Sequence, residues 1–120
     1  MTRQQLFNQA ATVLLTQGER SRAVDDTCLY RGPNGLKCAI GAMIPDALYE
    51  GDIEGYNIER LLDDYPAICK VLGGQRNVRF LDALQVLHDS VEPTDWLESL
   101  EDFALQYDLS TKVLEPFRKI

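Results

Sequence analysis

Apolar residues recur at helical spacing through most of the chain. Leu6, Ala10, Val13 and Leu14 follow a period near 3.6, behind Thr2-Arg3-Gln4-Gln5, which has the Thr-x-x-Gln form of a capping box. Gly18 suits the left-handed residue that ends a helix, so the pattern predicts a helix over about 3–17. Residues 18–26 are polar and read as a loop. Next, Cys28-Leu29-Tyr30 and Leu36-Lys37-Cys38-Ala39-Ile40 flank Gly32-Pro33-Asn34-Gly35, whose residues suit a type I turn followed by a left-handed glycine. This predicts a β-hairpin over about 27–40, with Gly32 facing Leu36 and Tyr30 facing Cys38. Cys28, Tyr30, Cys38 and Ile40 then share an inner face, and Leu29, Arg31, Lys37 and Ala39 an outer one.

Beyond the hairpin the pattern is helical again. Ile44–Tyr49 reads as a short helix and 51–55 as an acidic loop. Asn57 can cap a helix bearing Ile58, Leu61 and Leu62. Pro66 opens a short helix through Leu72, stopped by Gly73-Gly74. Asn77 can cap a helix carrying Phe80, Leu81, Leu84, Leu87 and His88. Pro93-Thr94-Asp95 leads into Trp96, Leu97, Leu100, Phe103, Ala104 and Tyr107, and a last short helix follows through Phe117. The expected fold is α+β and predominantly helical: five to seven helices around one hairpin, in a single globular domain over 1–120.

Charge sharpens where chemistry can sit. Residues 1–41 carry five basic and three acidic residues (+2), and residues 42–120 carry seven basic and sixteen acidic ones (−9), which sum to the net −7. So acidic a surface argues against direct DNA or RNA binding, which needs a basic footprint. It suits solubility, or contact with a basic partner such as a nucleic-acid-binding protein whose site it blocks. The chain has no apolar run long enough to span a membrane and no apolar leader, so no membrane partner and a cytoplasmic location are expected.

An odd count of three cysteines fits poorly with a secreted disulfide framework. Nine residues separate Cys28 from Cys38, which is not a zinc-knuckle spacing. Cys69 and His88 can complete a four-ligand set only on paper, each lying mid-helix on an apolar side. Small buried hydrophobes are the simpler reading of the thiols, with no metal and no cofactor. His88, beside Asp89, can be drawn as a base for Cys69, but nothing in the sequence orients the pair. No Ser-His-Asp, His-Glu-x-x-His or Walker pattern is present, so no catalytic residue is nominated and the protein is expected not to be an enzyme.

The best anion candidate is the 28–41 segment. Backbone N–H groups near Asn34 and Gly35 can form a concave nest, flanked by Arg31 and Lys37. Arg20 and Arg22 can approach from the preceding loop, and Tyr30 or Tyr49 can offer a ring for a base to stack on. Turn chemistry alone explains the same Gly and Pro residues. Trp96, Phe103 and Tyr107 read as core, or as interface anchors if exposed.

The stretch Cys-x-Tyr-Arg-Gly-x-x-Gly-x-Lys-Cys-Ala-x-Gly at 28–41, running on into Ile44-Pro45-Asp46 and Tyr49, resembles a motif of small hypothetical proteins of bacteriophages and prophages. The resemblance covers roughly residues 4–65 and transfers no catalytic residue. It implies a phage-type accessory protein in the host cytoplasm, which binds and inhibits or diverts a host or bacterial-defence protein. The alternative is a protein that sequesters a nucleotide or another phosphorylated small molecule through the basic 28–41 segment. A homo-oligomer is compatible with either.

Overall fold

A computed structural model describes residues 1–23, 25 and 27–118; Val24 and Asp26 of the expected 18–26 loop lie outside the described residues. Among those described, the α-helices are α1 (Arg3–Gln17), α2 (Ala39–Met43), α3 (Ile58–Asp64), α4 (Pro66–Val71), α5 (Val78–Ser90) and α6 (Trp96–Gln106), joined by short 3₁₀ turns. The α1 capping box forms: Thr2 Oγ1 accepts the Gln5 N–H at 3.1 Å, and Gln5 Oε1 accepts the Thr2 N–H at 2.8 Å. Gly18 takes φ 65° and its N–H closes on the Leu14 carbonyl.

The α+β expectation is overturned. Among the described residues there is no strand or sheet, only isolated antiparallel bridges at Arg22–Cys28 and Arg31–Lys37, and the fold is all-α. Two local causes are visible. Asn34, not only Gly35, is left-handed (φ 60° and 75°), so the turn is not a type I turn with a bulge. Cys38 then leaves the ladder: its Sγ accepts the Gly41 N–H at 3.3 Å and caps α2, so the second arm becomes a helix after one bridge. Gly32 N–H still reaches the Leu36 carbonyl (2.8 Å), and Cys38 N–H the Tyr30 carbonyl (3.3 Å). Ala39, expected on the outer face, is fully buried.

Two smaller expectations also change. Of the 44–49 helix only a 3₁₀ turn at Asp46–Leu48 forms. Asn77 does not cap α5. Its buried side chain accepts from Arg3 Nε (2.9 Å) and donates to the Leu72 carbonyl (2.9 Å), tying the start of α1 to the end of α4.

The core lies between α1, α2, α5 and α6. Leu6, Phe7 and Leu14 of α1 meet Ile40 and Met43 of α2, Phe80 and Leu84 of α5, and Leu100 and Phe103 of α6, all buried. Phe103 stacks with Phe7 (5.9 Å between centroids), and Phe80 meets Tyr107 edge-on (5.1 Å). Trp96 is fully buried, with its indole N–H on the Val91 carbonyl at 3.0 Å. The aromatic series of α6 therefore belongs to the interior.

Candidate functional site

The motif segment is held by its own neighbours. The Arg31 guanidinium pairs with Asp46 (2.7 Å), donates to the Ile44 carbonyl (2.6 Å) and lies over the Tyr49 ring at 4.9 Å. Lys37 Nζ stands 3.9 Å from the same Asp46 carboxylate. The side chains of Arg31 and Lys37 are only 17% and 31% exposed, so the expected outward basic pair is folded down on Asp46. The turn residues Asn34 and Gly35 are exposed.

A backbone anion cradle does exist one step away from the expected place. The N–H groups of Tyr30 and Arg31 donate to Glu54 Oε1 (2.8 Å) and Oε2 (3.1 Å), and the Tyr49 hydroxyl donates to Oε2 at 2.7 Å. Burial and the bond to Glu54 push the Tyr49 phenol up to about 12. Tyr30 is itself buried and donates its hydroxyl to the Tyr56 carbonyl. Gly41 explains why the motif ends on glycine: a Cβ there would penetrate the Tyr30 carbonyl.

Arg20 and Arg22 go elsewhere. Arg20 donates to the carbonyls of His88 (3.1 Å) and Val91 (2.6 Å), and Arg22 to that of Asp89 (3.5 Å). Both thus serve the C-terminal end of α5, where orphan carbonyls favour cations. Arg31 and Lys37 are thus held at Asp46, and Arg20 and Arg22 at the end of α5.

His88 is fully buried against the Trp96 ring, with centroids 5.5 Å apart. Its Nε2 accepts the Ser21 N–H (3.3 Å), which places the ring proton on Nδ1, where Asp89 Oδ1 accepts it at 2.7 Å. With both nitrogens engaged, the ring offers no free base. Asp89 Oδ1 also accepts from Gln85 Nε2 (3.1 Å). Burial alone would raise the Asp89 carboxyl, but the bonds from His88 and Cys28 outweigh it and hold it below its ordinary value. Burial, and then the Asp89 carboxylate, push the Cys28 thiol up. Cys38 is driven up to about 12 by burial. A raised thiol is a poor nucleophile. Cys69 lies half-buried on α4. Among the described residues no three His, Cys, Asp or Glu side chains gather as a metal site.

What sequence reading missed is the face of α5. Asp82 and Asp89, two turns apart, border a cleft of about 340 Å³ between α5, residues 27–30 and residues 55–58. Adjoining hollows of about 380 and 240 Å³ continue it between α3 and α5, bordered by Glu59, Asp63 and Val78. The seven-residue acid spacing was legible on a predicted helix, but the opposing wall was not.

No protein-family model, curated protein or solved structure matches this chain.

Proposed function

We propose that this is a non-enzymatic binding protein that acts by occupying the surface of a partner protein. In keeping with the phage-type motif, the partner is a host or bacterial-defence protein. One observation carries the reading: the nucleophile, base and cation candidates are engaged internally, while an excess of acids stands outward. Glu50, Asp52, Glu59 and Asp63 are exposed within 46–64 with no ion pair among the described residues; Asp46 and Asp64 are exposed but paired, and the one exposed cation there is Arg60. Arg60 is itself paired with Asp64 (3.4 Å) and lies over Tyr56 at 4.4 Å. Tyr56 and Tyr65 meet edge-on beside these acids (5.8 Å), half-buried, so aromatic area lies within the negative field. Half-buried tyrosines and a one-sign field suit recognition of a basic protein surface. Affinity capture from host lysate with the wild type and with Glu50→Gln/Asp52→Asn/Asp64→Asn tests it. A defined protein retained by the first and lost with the second is expected, and equal recovery by both overturns the reading.

The nucleotide-sequestering alternative keeps one supporting feature. Arg31 Nε is buried with no hydrogen-bond partner among the described residues, beside the Tyr49 ring. Against it, Asp46 and Glu54 already stand where a phosphate would bind. Heat on titration with mono- or cyclic nucleotides, abolished by Arg31→Ala, is its required result.

A further inference from the structure

We propose that the groove between α3 and α5 receives an extended, Arg- or Lys-rich segment of the partner; this rests on the binding-protein reading above. The three hollows adjoin. The first and second share Asn57, Ile58 and Asp82, and the second and third share Glu59 and Val78. Together they follow α5 from Asp89 back to Val78, a rise of about 16 Å. Four carboxylates border this path (Asp89, Asp82, Glu59 and Asp63) against one cation, Arg79. The formal balance is −3, so the groove repels anions.

Its carboxylates are strung out along the path. Asp82 and Asp89 are about 10 Å apart along the helix axis, too far to share one ion and suited to charges set along a chain. An extended segment in the polyproline II conformation advances about 9 Å in three residues and returns to the same face. Basic residues at every third position therefore match this pair. The groove also has an apolar lining at Ile58, Leu62 and Val78, against which the stems of long basic side chains can lie.

The acids differ in availability. Among the described residues Asp89 takes His88 and Gln85 on Oδ1 alone, so its Oδ2 can still meet a ligand charge, and Asp63 accepts a hydrogen bond from Gln75. Asp82 and Glu59 are exposed, and among the described residues no hydrogen bond or ion pair engages their side chains. They are the residues that a ligand can pair with at no structural loss.

The test is fluorescence anisotropy with two labelled nonapeptides of equal composition: one with Arg at every third position between Pro and Ala, one with the arginines contiguous. It is run at about 50 mM salt, where screening is modest. The spaced peptide is expected to bind at least several-fold more tightly. Asp82→Asn/Glu59→Gln is expected to weaken it by about ten-fold, the sum of two partly exposed ion pairs, while Glu98→Gln/Asp102→Asn on α6, the same charge change elsewhere, alters it by no more than about two-fold. Equal weakening by both double variants means diffuse attraction and overturns the site. So does equal binding of both peptides, or displacement of the spaced peptide by spermine at equimolar concentration, which would make the groove a polyamine site. If the lysate partner is captured through the 50, 52 and 64 acids while neither peptide binds, the binding-protein reading stands and the groove assignment falls.

Discussion

Glu54 Oε1 accepts the backbone N–H of Tyr30 at 2.8 Å, so an acid from the loop before α3 anchors the segment that leads into α2. Its other oxygen takes the Arg31 N–H and the Tyr49 hydroxyl. Glu54→Ala strands two main-chain donors in a half-buried site and is expected to cost about 3 kcal/mol in denaturant unfolding. Glu54→Gln keeps one acceptor and should cost about 1 kcal/mol. Equal losses for the two variants would mean that water replaces the carboxylate freely.

Gly41 touches the Tyr30 backbone from the other side. Gly41→Ala drives a methyl into the Tyr30 carbonyl, which backbone cannot yield to cheaply. A loss of about 3 kcal/mol or outright failure to fold is expected. Gly51→Ala, with open space around its Cβ, should stay within about 0.5 kcal/mol of wild type. Comparable melting temperatures for the two variants would refute the close approach of α2 to residue 30.

The Asp89 cluster gives an acid-side signature. Its carboxyl sits below the ordinary aspartate value, so the folded state binds fewer protons there than the unfolded state. The stabilisation is present above about pH 4 and is lost as pH falls through the lower folded value. Asp89→Asn should flatten the stability profile below about pH 4, measured by urea midpoints at successive pH values. A profile as steep as wild type would exclude Asp89 as its source.

The same carboxylate controls a thiol. Burial and Asp89 hold the Cys28 thiol protonated, so a disulfide reagent at pH 8 should modify Cys28 more slowly than a free cysteine. Asp89→Asn should speed the reaction, with Cys38 still protected by burial. An unchanged rate, followed by peptide mapping, would exclude Asp89 as a cause of the raised thiol.

Tyr49 provides the alkaline counterpart. Its phenol is raised to about 12, so its contribution is full below pH 10 and fades as pH climbs towards 12. Ultraviolet titration of tyrosinate should lose its late-ionising component at Tyr49 in Tyr49→Phe. Loss of an early component instead would place the Tyr49 hydroxyl in solvent.

The start and stop of α1 are legible because both caps are local: Thr2 and Gln5 are three residues apart, and Gly18 needs only its own φ. The α5 and α6 faces are legible from periodicity for a similar reason. The hairpin misleads because its turn is real and its second arm is short. Whether Leu36–Ile40 runs on as a strand depends on Cys38, whose Sγ competes for the Gly41 N–H as an N-cap. Sequence weighed that thiol only as a hydrophobe, a metal ligand or half of a disulfide.

The candidate site divides in the same way. Arg31, Lys37 and Tyr49 do come together, as their motif suggests, but around Asp46 and Glu54, which sequence did not connect to them. Arg20 and Arg22 are drawn 67 to 71 residues along the chain, to the carbonyls that end α5. Composition and periodicity alone determine that the chain is mainly helical and that sixteen of its nineteen acids lie beyond residue 41. Only tertiary structure decides which charges remain available. An ion pair or a backbone acceptor is a matter of distance between segments remote in sequence, and no local propensity encodes that distance.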